Sequence, residues 1–310
     1  MTSSPHDALF KAVFSDPANE AGELRTVLAK PIGDTFRWPT LALMPGSFVD
    51  AELTDRHTDL LFCVERNNES TALIYVLFEH QSTPDPWMGL RLLEYVLRIW
   101  RAYRKANPEA KTLPLIVPVV LYQGEDAWTA RSLGAIVDAE EAERAFVPDF
   151  AFVMDDLRRV TDADLRARPL SGHAQIALSV MREARTKSAL DAVLLGWKAE
   201  VQALLAEERG PGALAQVLEY IAQVRDVEVA RLVEVARQLG PEAEDVMMTL
   251  EQRLIQKGKA EGEAQGKAEG KAEGRAESIF AVLAARGIEV SAAERARVLE
   301  CRDIATLDHG

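Results

Sequence analysis

The chain has 310 residues, 48% of them hydrophobic and 27% charged, and a formal net charge of −13 at pH 7. The hydrophobic content excludes a disordered chain, and the lack of an apolar run of about 18 residues argues against a membrane-spanning helix. The negative charge excludes a protein that coats nucleic acid by bulk electrostatics. The sequence has only two cysteines, Cys63 and Cys301, and no secretory leader is recognisable, so we expect a cytoplasmic protein without a disulfide framework.

The first 165 residues combine helical and strand patterns. Residues 6–14 and 20–29 have the periodicity of amphipathic helices and are separated by an Asp-Pro pair. Two short apolar runs follow at 58–65 and 72–78, and the turn-like Asn-Asn-Glu-Ser segment between them predicts a β-hairpin. Because both runs are almost continuously hydrophobic, we expect a sheet that is covered on both faces.

A long helix is predicted from about residue 86 to residue 106, and a buried strand follows within 113–124. Pro118 in that strand indicates an edge or a bulge, because proline cannot donate a ladder hydrogen bond. The order strand, helix, strand with short connections predicts a mixed α/β sheet flanked by helices. The apolar side chains expected on the buried face of the helix recur at helical spacing and are Leu90, Leu93, Leu97 and Trp100.

After about residue 165 the strand signal disappears, and helical periodicity with breaks at Gly210-Pro211 and Gly240-Pro241 predicts an all-α region. We therefore expect an α/β domain over 1–165, a helical accessory region over 166–257 and a tail over 258–310. The tail repeats glycine at every fourth position through five tetrads. Glycine costs about 1 kcal/mol relative to alanine inside a helix, which favours a solvated linker. The alternative is helix pairing or self-association through the glycines.

Two carboxylates in the predicted hairpin carry the clearest chemical signal. Asp59 opens its first strand, Glu79 closes its second, and Gln81 follows two residues later. A turn centred near residues 68–69 would place Asp59 opposite Glu79 or one residue away, with cross-strand Cβ atoms about 5 Å apart. Carboxylates that close repel each other unless a proton or a cation lies between them, and their oxygens suit Mg²⁺ or Mn²⁺. The alternative is a pair of solvated acids at the strand ends.

Five blocks of sequence, in order over about residues 5–160, resemble the Rpn family of YhgA-like recombination-promoting nucleases, a branch of the PD-(D/E)XK nuclease superfamily. The blocks are HDALFKAVFSDP, TDLLF, LFEHQS, MGLRLLEYVLRIW and LPLIVPVVLYQGEDAW. The resemblance implies a restriction-endonuclease-like fold in which Asp59 and Glu79 bind a divalent metal. Gln81 stands where the wider superfamily has lysine.

The resemblance leaves two further positions open. Some members of the superfamily add an acid from the first helix, and either Glu20 or Asp7 could supply it here. The Tyr-His-Gly that is usual in the family is Tyr-Gln-Gly in this chain, so Gln123 replaces a histidine. That change removes a candidate imidazole from the site.

Basic residues near these motifs are candidates for contact with the DNA backbone. Residues 86–124 carry six basic and two acidic side chains, a local charge of +4 in an acidic chain. Arg91, Arg98 and Arg101 recur at helical spacing there, and Lys11 lies on the first predicted helix. A solvated helix face is the alternative for the arginines, and a surface lysine with its stem on apolar neighbours is the alternative for Lys11.

The family resemblance, together with the paired carboxylates, implies a divalent-metal-dependent DNA endonuclease with little sequence specificity. The resemblance implies a link to recombination, mobile elements or phage defence. Asp59 and Glu79 would hold Mg²⁺, or alternatively Mn²⁺ or Ca²⁺, and Gln81 would position the attacking water or the phosphate. The expected partners are double-stranded DNA and a second copy of the chain, bound through the C-terminal helical region. The alternative function is a catalytically degenerate DNA-binding or self-associating protein of the same fold.

Overall fold

The computed structural model describes residues 4–45, 60–79, 84–124, 126–129, 131–184, 190–224 and 227–301. By its internal contacts the chain forms two units, residues 1–247 and 248–310. The division into a nuclease domain, a helical accessory region and a tail stays a prediction. None of the described helices combines the length and the apolar content needed to cross a bilayer.

Three helices open the first unit, and local residues explain where the first two begin. The Ser4 side chain accepts a hydrogen bond from the Asp7 N–H at the start of the first helix. Asp16 caps the second helix, in which proline occupies the first position. Such residues satisfy or remove the unpaired N–H groups of a first turn. The helices are α1 (Pro5–Phe14), α2 (Pro17–Val27) and α3 (Lys30–Gly33).

The predicted hairpin is confirmed and belongs to a five-stranded mixed sheet. The strands are β1 (Ala42–Leu43), β2 (Leu60–Glu65), β3 (Thr71–Glu79), β4 (Leu115–Tyr122) and β5 (Val153–Asp156). They follow one another in this order across the sheet. β1, β2 and β3 are antiparallel, whereas β3, β4 and β5 are parallel. The mixed α/β architecture expected from the sequence is therefore present.

Pro118 lies where β4 has a neighbour on one side only. It pairs with Tyr75 of β3, and β5 begins to pair with β4 one residue later, at Val119. The edge position predicted for this proline is thus confirmed, although β4 as a whole is an interior strand. β5 itself was not predicted, and its four residues include two aspartates.

Helix α4 (Met88–Ala106) packs on one face of the sheet with a stripe that matches the predicted one only in part: Trp100 packs against the core cluster, whereas Leu90 and Leu97 do not. The buried side chains are Met88, Leu92, Tyr95, Val96 and Ile99. Leu90 and Leu97, expected inside, are 44% and 41% exposed. Both stripes are apolar at helical spacing, so the periodicity alone could not decide between them. The larger Met88 and Tyr95 side chains contact a sheet cluster that includes Tyr75, whose ring lies 5.1 Å from that of Tyr95.

The described chain after β5 is entirely helical, as expected. The helices are α5 (Asp162–Ala167), α6 (Gly172–Glu183), α7 (Leu190–Gly196), α8 (Lys198–Leu205), α9 (Gly210–Val224) and α10 (Val229–Leu239), followed by α11 (Pro241–Ala285) and α12 (Ala292–Glu300). α9 and α11 begin at the predicted Gly-Pro breaks. α1 contacts both α6 and α9, so the N-terminal helix packs against the helical region.

The glycine-rich tail is helical and not the linker that the composition favoured. Helix α11 runs for 45 residues through all five glycines of the repeat, and no described atom outside the helix backbone lies within 4 Å of a Cβ built on any of them. The remaining repeat positions hold Ala, Glu, Lys, Gln and Arg, the strongest helix formers, which offset part of the glycine cost.

One glycine permits a close approach between α2 and the segment after α5. A Cβ on Gly22 would lie 2.1 Å from the Pro169 carbonyl oxygen. We therefore expect Gly22→Ala to lower the free energy of unfolding by about 1–3 kcal/mol, because backbone must move. Gly212 in α9 has open space around its Cα, and Gly212→Ala should leave stability unchanged or raise it by up to about 1 kcal/mol. Urea denaturation of both variants measures the difference, and equal effects would contradict the expectation.

Candidate functional site

The carboxyl ends of the three parallel strands meet at one edge of the sheet. Glu79, the last residue of β3, pairs with Tyr122 of β4, which in turn pairs with Asp156 of β5. Ligands of open α/β sheets commonly bind at this edge, because loops and side chains converge there. The same edge therefore carries Glu79 on β3 and, two strands away on β5, the acids Asp155 and Asp156, which the sequence reasoning did not select.

Two of the three predicted catalytic residues, Asp59 and Gln81, lie outside the described residues. The described ladder begins with Leu60 opposite Val76, so β3 extends three residues beyond it, to Glu79. The expected closeness of Asp59 and Glu79 stays a prediction. Among the described residues, which include neither Asp59 nor Gln81, no three His, Cys, Asp or Glu side chains are grouped closely enough to hold a metal ion.

The acids Asp155 and Asp156 are each held by arginine. Asp156 is 7% exposed, and its carboxylate contacts Arg158 at 2.6 Å and Arg159 at 3.3 Å. The Arg158 guanidinium also lies over the ring of Tyr122, 5.7 Å from its centroid. Charge-assisted hydrogen bonds of this kind satisfy the carboxylate oxygens. The two arginines thus balance the negative charge of Asp156, and Arg158 links this residue of β5 to Tyr122 of β4.

A buried cluster of two acids and one arginine joins α2 to β5. Arg168 donates to both Asp155 oxygens, at 2.8 and 3.0 Å, and to Glu23 Oε1. All three side chains are less than 10% exposed. Burial raises the pKa of Glu23 well above its ordinary value, and the neighbouring Asp155 raises it further, against the lowering effect of Arg168. Glu23 therefore retains its proton more readily than an exposed glutamate.

Glu20 lies one helical turn before Glu23, but no arginine in the described chain donates a hydrogen bond to its carboxylate. It is 1% exposed, and both of its carboxylate oxygens are buried without a hydrogen bond. Burial alone raises its pKa from 4.5 to about 8. Among the described acids, Glu20 alone has both carboxylate oxygens buried without a hydrogen bond. A buried, unpaired carboxylate is costly and marks a functional candidate. Asp7, the alternative acid from the sequence, has one such oxygen, Oδ1.

Gln123 turns away from the edge and into the helical layer, which corrects the expectation that it replaces a site imidazole. It is 2% exposed, and its amide donates to the Met181 carbonyl of α6 and, at 3.4 Å, to the Tyr220 hydroxyl of α9. Tyr220 in turn hydrogen bonds His6 Nδ1 of α1 at 2.9 Å. A histidine at position 123 would lie in this buried chain. Sequence reasoning missed this chain of hydrogen bonds because its residues are up to 214 positions apart in the sequence.

The candidate DNA-contacting residues do not form a single open surface. Arg91 is half-buried, and its guanidinium is 3.6 Å from Asp85. Arg98 is also half-buried and has an interaction partner, whereas Arg101 is exposed on α4. Lys11 is half-buried in the last turn of α1. Of the three arginines, Arg101 thus has the most solvent-accessible position.

The chain is an α/β protein with a mixed five-stranded sheet, flanking helices and acids at the carboxyl ends of its parallel strands. Residues 4–210 of this chain match the model of the family described as "Putative transposase, YhgA-like". Because that match covers most of the chain, the protein belongs to this family.

Several curated relatives carry nuclease names. The chain is 28% identical to the inactive recombination-promoting nuclease-like protein RpnE and 27% identical to the recombination-promoting nuclease RpnA, both of Escherichia coli strain K12. These matches cover 83% of this chain and 83% and 86% of the relatives. It is 30% identical to the recombination-promoting nuclease RpnD of Escherichia coli O157:H7, over 53% of this chain and 63% of the relative. No solved structure matches the chain.

Proposed function

We propose that this protein is a divalent-metal-dependent DNA endonuclease with little sequence specificity that acts in recombination, mobile-element biology or phage defence. The observation that carries the proposal is the position of Glu79 at the carboxyl end of β3, in a chain whose relatives are named recombination-promoting nucleases. The sheet order and the flanking helices are consistent with a restriction-endonuclease-like fold.

Asp59 and Glu79 would hold Mg²⁺, or alternatively Mn²⁺ or Ca²⁺, through hard carboxylate oxygens. Such a cation polarises a phosphodiester oxygen and lowers the pKa of an attacking water. Gln81 would orient that water or the phosphate by hydrogen bonding. The amide of glutamine cannot accept a proton as a lysine amine can, so a general base is left to the carboxylates or to water.

Glu20 supports a metal role better than Asp7 does. Its two buried oxygens have no hydrogen-bond donor, and a cation is the partner that such a carboxylate lacks. Its neighbour Glu23 is tied through Arg168 to Asp155, which lies at the same end of the sheet as Glu79. Glu20 would act as the additional acid from a helix, alongside Asp59 and Glu79.

DNA would approach along α4, the basic segment that follows the candidate site. Arg101 and the neighbouring Arg104 and Lys105 are exposed there. Contacts with the phosphate backbone position a duplex without reading its sequence. Since the rest of the chain is acidic, binding should be weak and strongly weakened by salt. Arg91 and Arg98 would contribute at the side of this face, and Lys11 would contribute from α1.

The decisive experiment incubates supercoiled plasmid with Mg²⁺ and either the wild-type protein, Asp59→Ala or Glu65→Gln. We expect the wild type and Glu65→Gln to convert plasmid to nicked and linear forms, because Glu65 is exposed at the other end of the hairpin. Asp59→Ala should lose at least about a hundredfold in rate, since metal activation of water is lost. Equal cleavage by the wild type and Asp59→Ala would contradict the catalytic assignment.

A degenerate nuclease that binds DNA or self-associates is the second candidate function. Two observations favour it: Gln81 replaces the lysine of the wider superfamily, and the relative RpnE is named inactive. It predicts salt-sensitive DNA binding that persists in EDTA, with no cleavage in any of the three metals. Self-association through the C-terminal helical region would appear as a dimer mass in light scattering.

A further inference from the structure

A cavity of about 370 Å³ opens beside the first turn of α4. Met88, Trp128 and Phe152 form apolar walls, and Asp85, Thr129 and Arg131 contribute polar groups. This volume and this combination of apolar walls with a few polar groups are typical of small-ligand sites. Among the described residues that line the cavity, none is a proposed catalytic residue; Asp59 and Gln81 lie outside the described part of the chain.

The aromatic wall of the cavity is held in place by the sheet. The Trp128 ring packs edge-on against the ring of Tyr122, with centroids 4.9 Å apart. Trp128 is 6% exposed and Tyr122 is fully buried. The Tyr122 hydroxyl donates to the Asp126 carbonyl at 3.1 Å, which restrains the segment that leads to Trp128. A flat ring suits an aromatic wall, and because Trp128 is already held in place, little side-chain entropy is lost when a ligand binds.

The charges at the cavity favour an anionic group on that ligand. Asp85 accepts a hydrogen bond from the Trp87 N–H at 2.8 Å, and its other oxygen is 3.6 Å from the Arg91 guanidinium. Its negative charge is therefore balanced within the protein. Arg131 is exposed and donates to the Ala135 carbonyl, a neutral group. A positive charge thus remains at the mouth, where it suits a phosphate.

The cavity lies close to the candidate catalytic strand end. Tyr122, whose ring supports Trp128, is the direct strand partner of Glu79. Along the chain, Pro84 at the cavity is five residues beyond Glu79, so their Cα atoms are at most about 18 Å apart. Successive bases of a DNA strand rise by about 3.4 Å, so a substrate base about five nucleotides or fewer from the cleaved phosphate is within reach.

We propose that this cavity binds an unpaired nucleobase, with the attached phosphate near Arg131. A nucleobase is a flat ring with a polar edge, which matches apolar walls bordered by the Thr129 hydroxyl and the Asp85 carboxylate. Proteins that take up a single base in this way act on unstacked or flipped nucleotides. The inference rests on the proposed nuclease function for its biological meaning. It assigns a substrate class: DNA with unpaired bases, such as bubbles, mismatches or single strands.

The test uses 2-aminopurine, whose fluorescence reports unstacking and contact with tryptophan, in EDTA so that no cleavage occurs. The probes are 2-aminopurine deoxynucleoside 5′-monophosphate, a single strand, a matched duplex and a duplex with 2-aminopurine in a bubble. We expect the wild type to bind the single strand and the bubble about tenfold more tightly than the matched duplex. Binding of the free nucleotide would show that the base itself suffices. If the single strand and the bubble bind but the free nucleotide does not, the cavity recognises the base only as part of a DNA strand.

Matched variants assign binding to the cavity. Thr129→Phe adds bulk at the cavity and should weaken binding of unpaired bases about tenfold or more, whereas Val137→Phe adds the same bulk at an exposed position outside it and should not. Arg131→Gln, which adds no bulk, should weaken the nucleotide but not the corresponding nucleoside. Binding that is equal in all variants, or equal for matched and unpaired DNA, overturns the proposal. Because Asp59→Ala should keep the binding, loss of nuclease activity and loss of base binding remain distinguishable.

Discussion

Replacing Arg168 by methionine is expected to lower the free energy of unfolding by about 3–5 kcal/mol, because two buried acids then face each other without a cation. Arg168 donates to Asp155 at 2.8 and 3.0 Å and also to Glu23, and all three side chains are buried. Methionine fills much of the volume of the arginine stem, so the effect reports mainly the lost charge and hydrogen bonds. Urea denaturation at pH 7 measures it.

Arg37→Met is the matched control for this prediction. Arg37 pairs with Glu65 at 2.9 Å, but both side chains are about half exposed, at 53% and 52%. Exposed pairs contribute about 0–1 kcal/mol, so this variant should unfold almost like the wild type. The deficit of Arg168→Met should shrink as the pH falls, because Glu23, whose pKa burial raises, then carries a proton and no charge. Equal losses in the two variants would show that burial does not govern the cluster.

The wild-type protein should lose up to about 5 kcal/mol more stability than Glu20→Gln between pH 4.5 and pH 8 in EDTA. Burial raises the pKa of Glu20 in the folded protein to about 8, against 4.5 for an ordinary glutamate. Below pH 4.5 both states carry the proton, and Glu20 adds no pH dependence. Between the two values the unfolded chain has lost the proton that the folded protein retains, so stability falls as the pH rises.

Glutamine cannot titrate, so Glu20→Gln should lack this component of the pH profile while retaining all others. Glu94→Gln, on the exposed side of α4, should follow the wild type. Denaturation at half-unit steps of pH measures the three profiles. If Glu20 is also a metal ligand, Mg²⁺ should stabilise the wild type at pH 8 and have a smaller effect on Glu20→Gln. Parallel pH profiles for all three proteins would refute the assignment of a buried, unpaired Glu20.

The elements that could be predicted from sequence are those specified by neighbouring residues. The hairpin of β2 and β3 was predicted from two apolar runs and a turn of four polar residues, and α9 and α11 begin at their Gly-Pro breaks. β5 could not be predicted. Its segment is Val-Met-Asp-Asp, and two aspartates in a four-residue strand are unfavourable until β4 supplies hydrogen bonds and Arg168 and Arg158 supply charge.

The candidate site also combines features that could be predicted from sequence with features that could not. Glu79 at a strand end followed from the pattern, whereas the choice between Glu20 and Asp7 remained open, because burial is not visible in a helical periodicity. The Gln123–Tyr220–His6 chain and the Glu23–Arg168 contact link residues 97, 214 and 145 positions apart. Such pairs form only after distant helices pack together.

By itself, the sequence determined the β-hairpin, the helix and strand that follow it, the mixed α/β class and the acids available for metal chemistry, because these depend on local propensity and on side-chain type. Tertiary structure alone decided which face of α4 is buried and that residues 153–156 form a strand. It also decided which buried acids have a partner: Asp155, Asp156 and Glu23 contact arginines, and Glu20 does not. The physical reason is that desolvation acts on each acid where it is buried, whereas the cation that compensates it must come from another part of the chain.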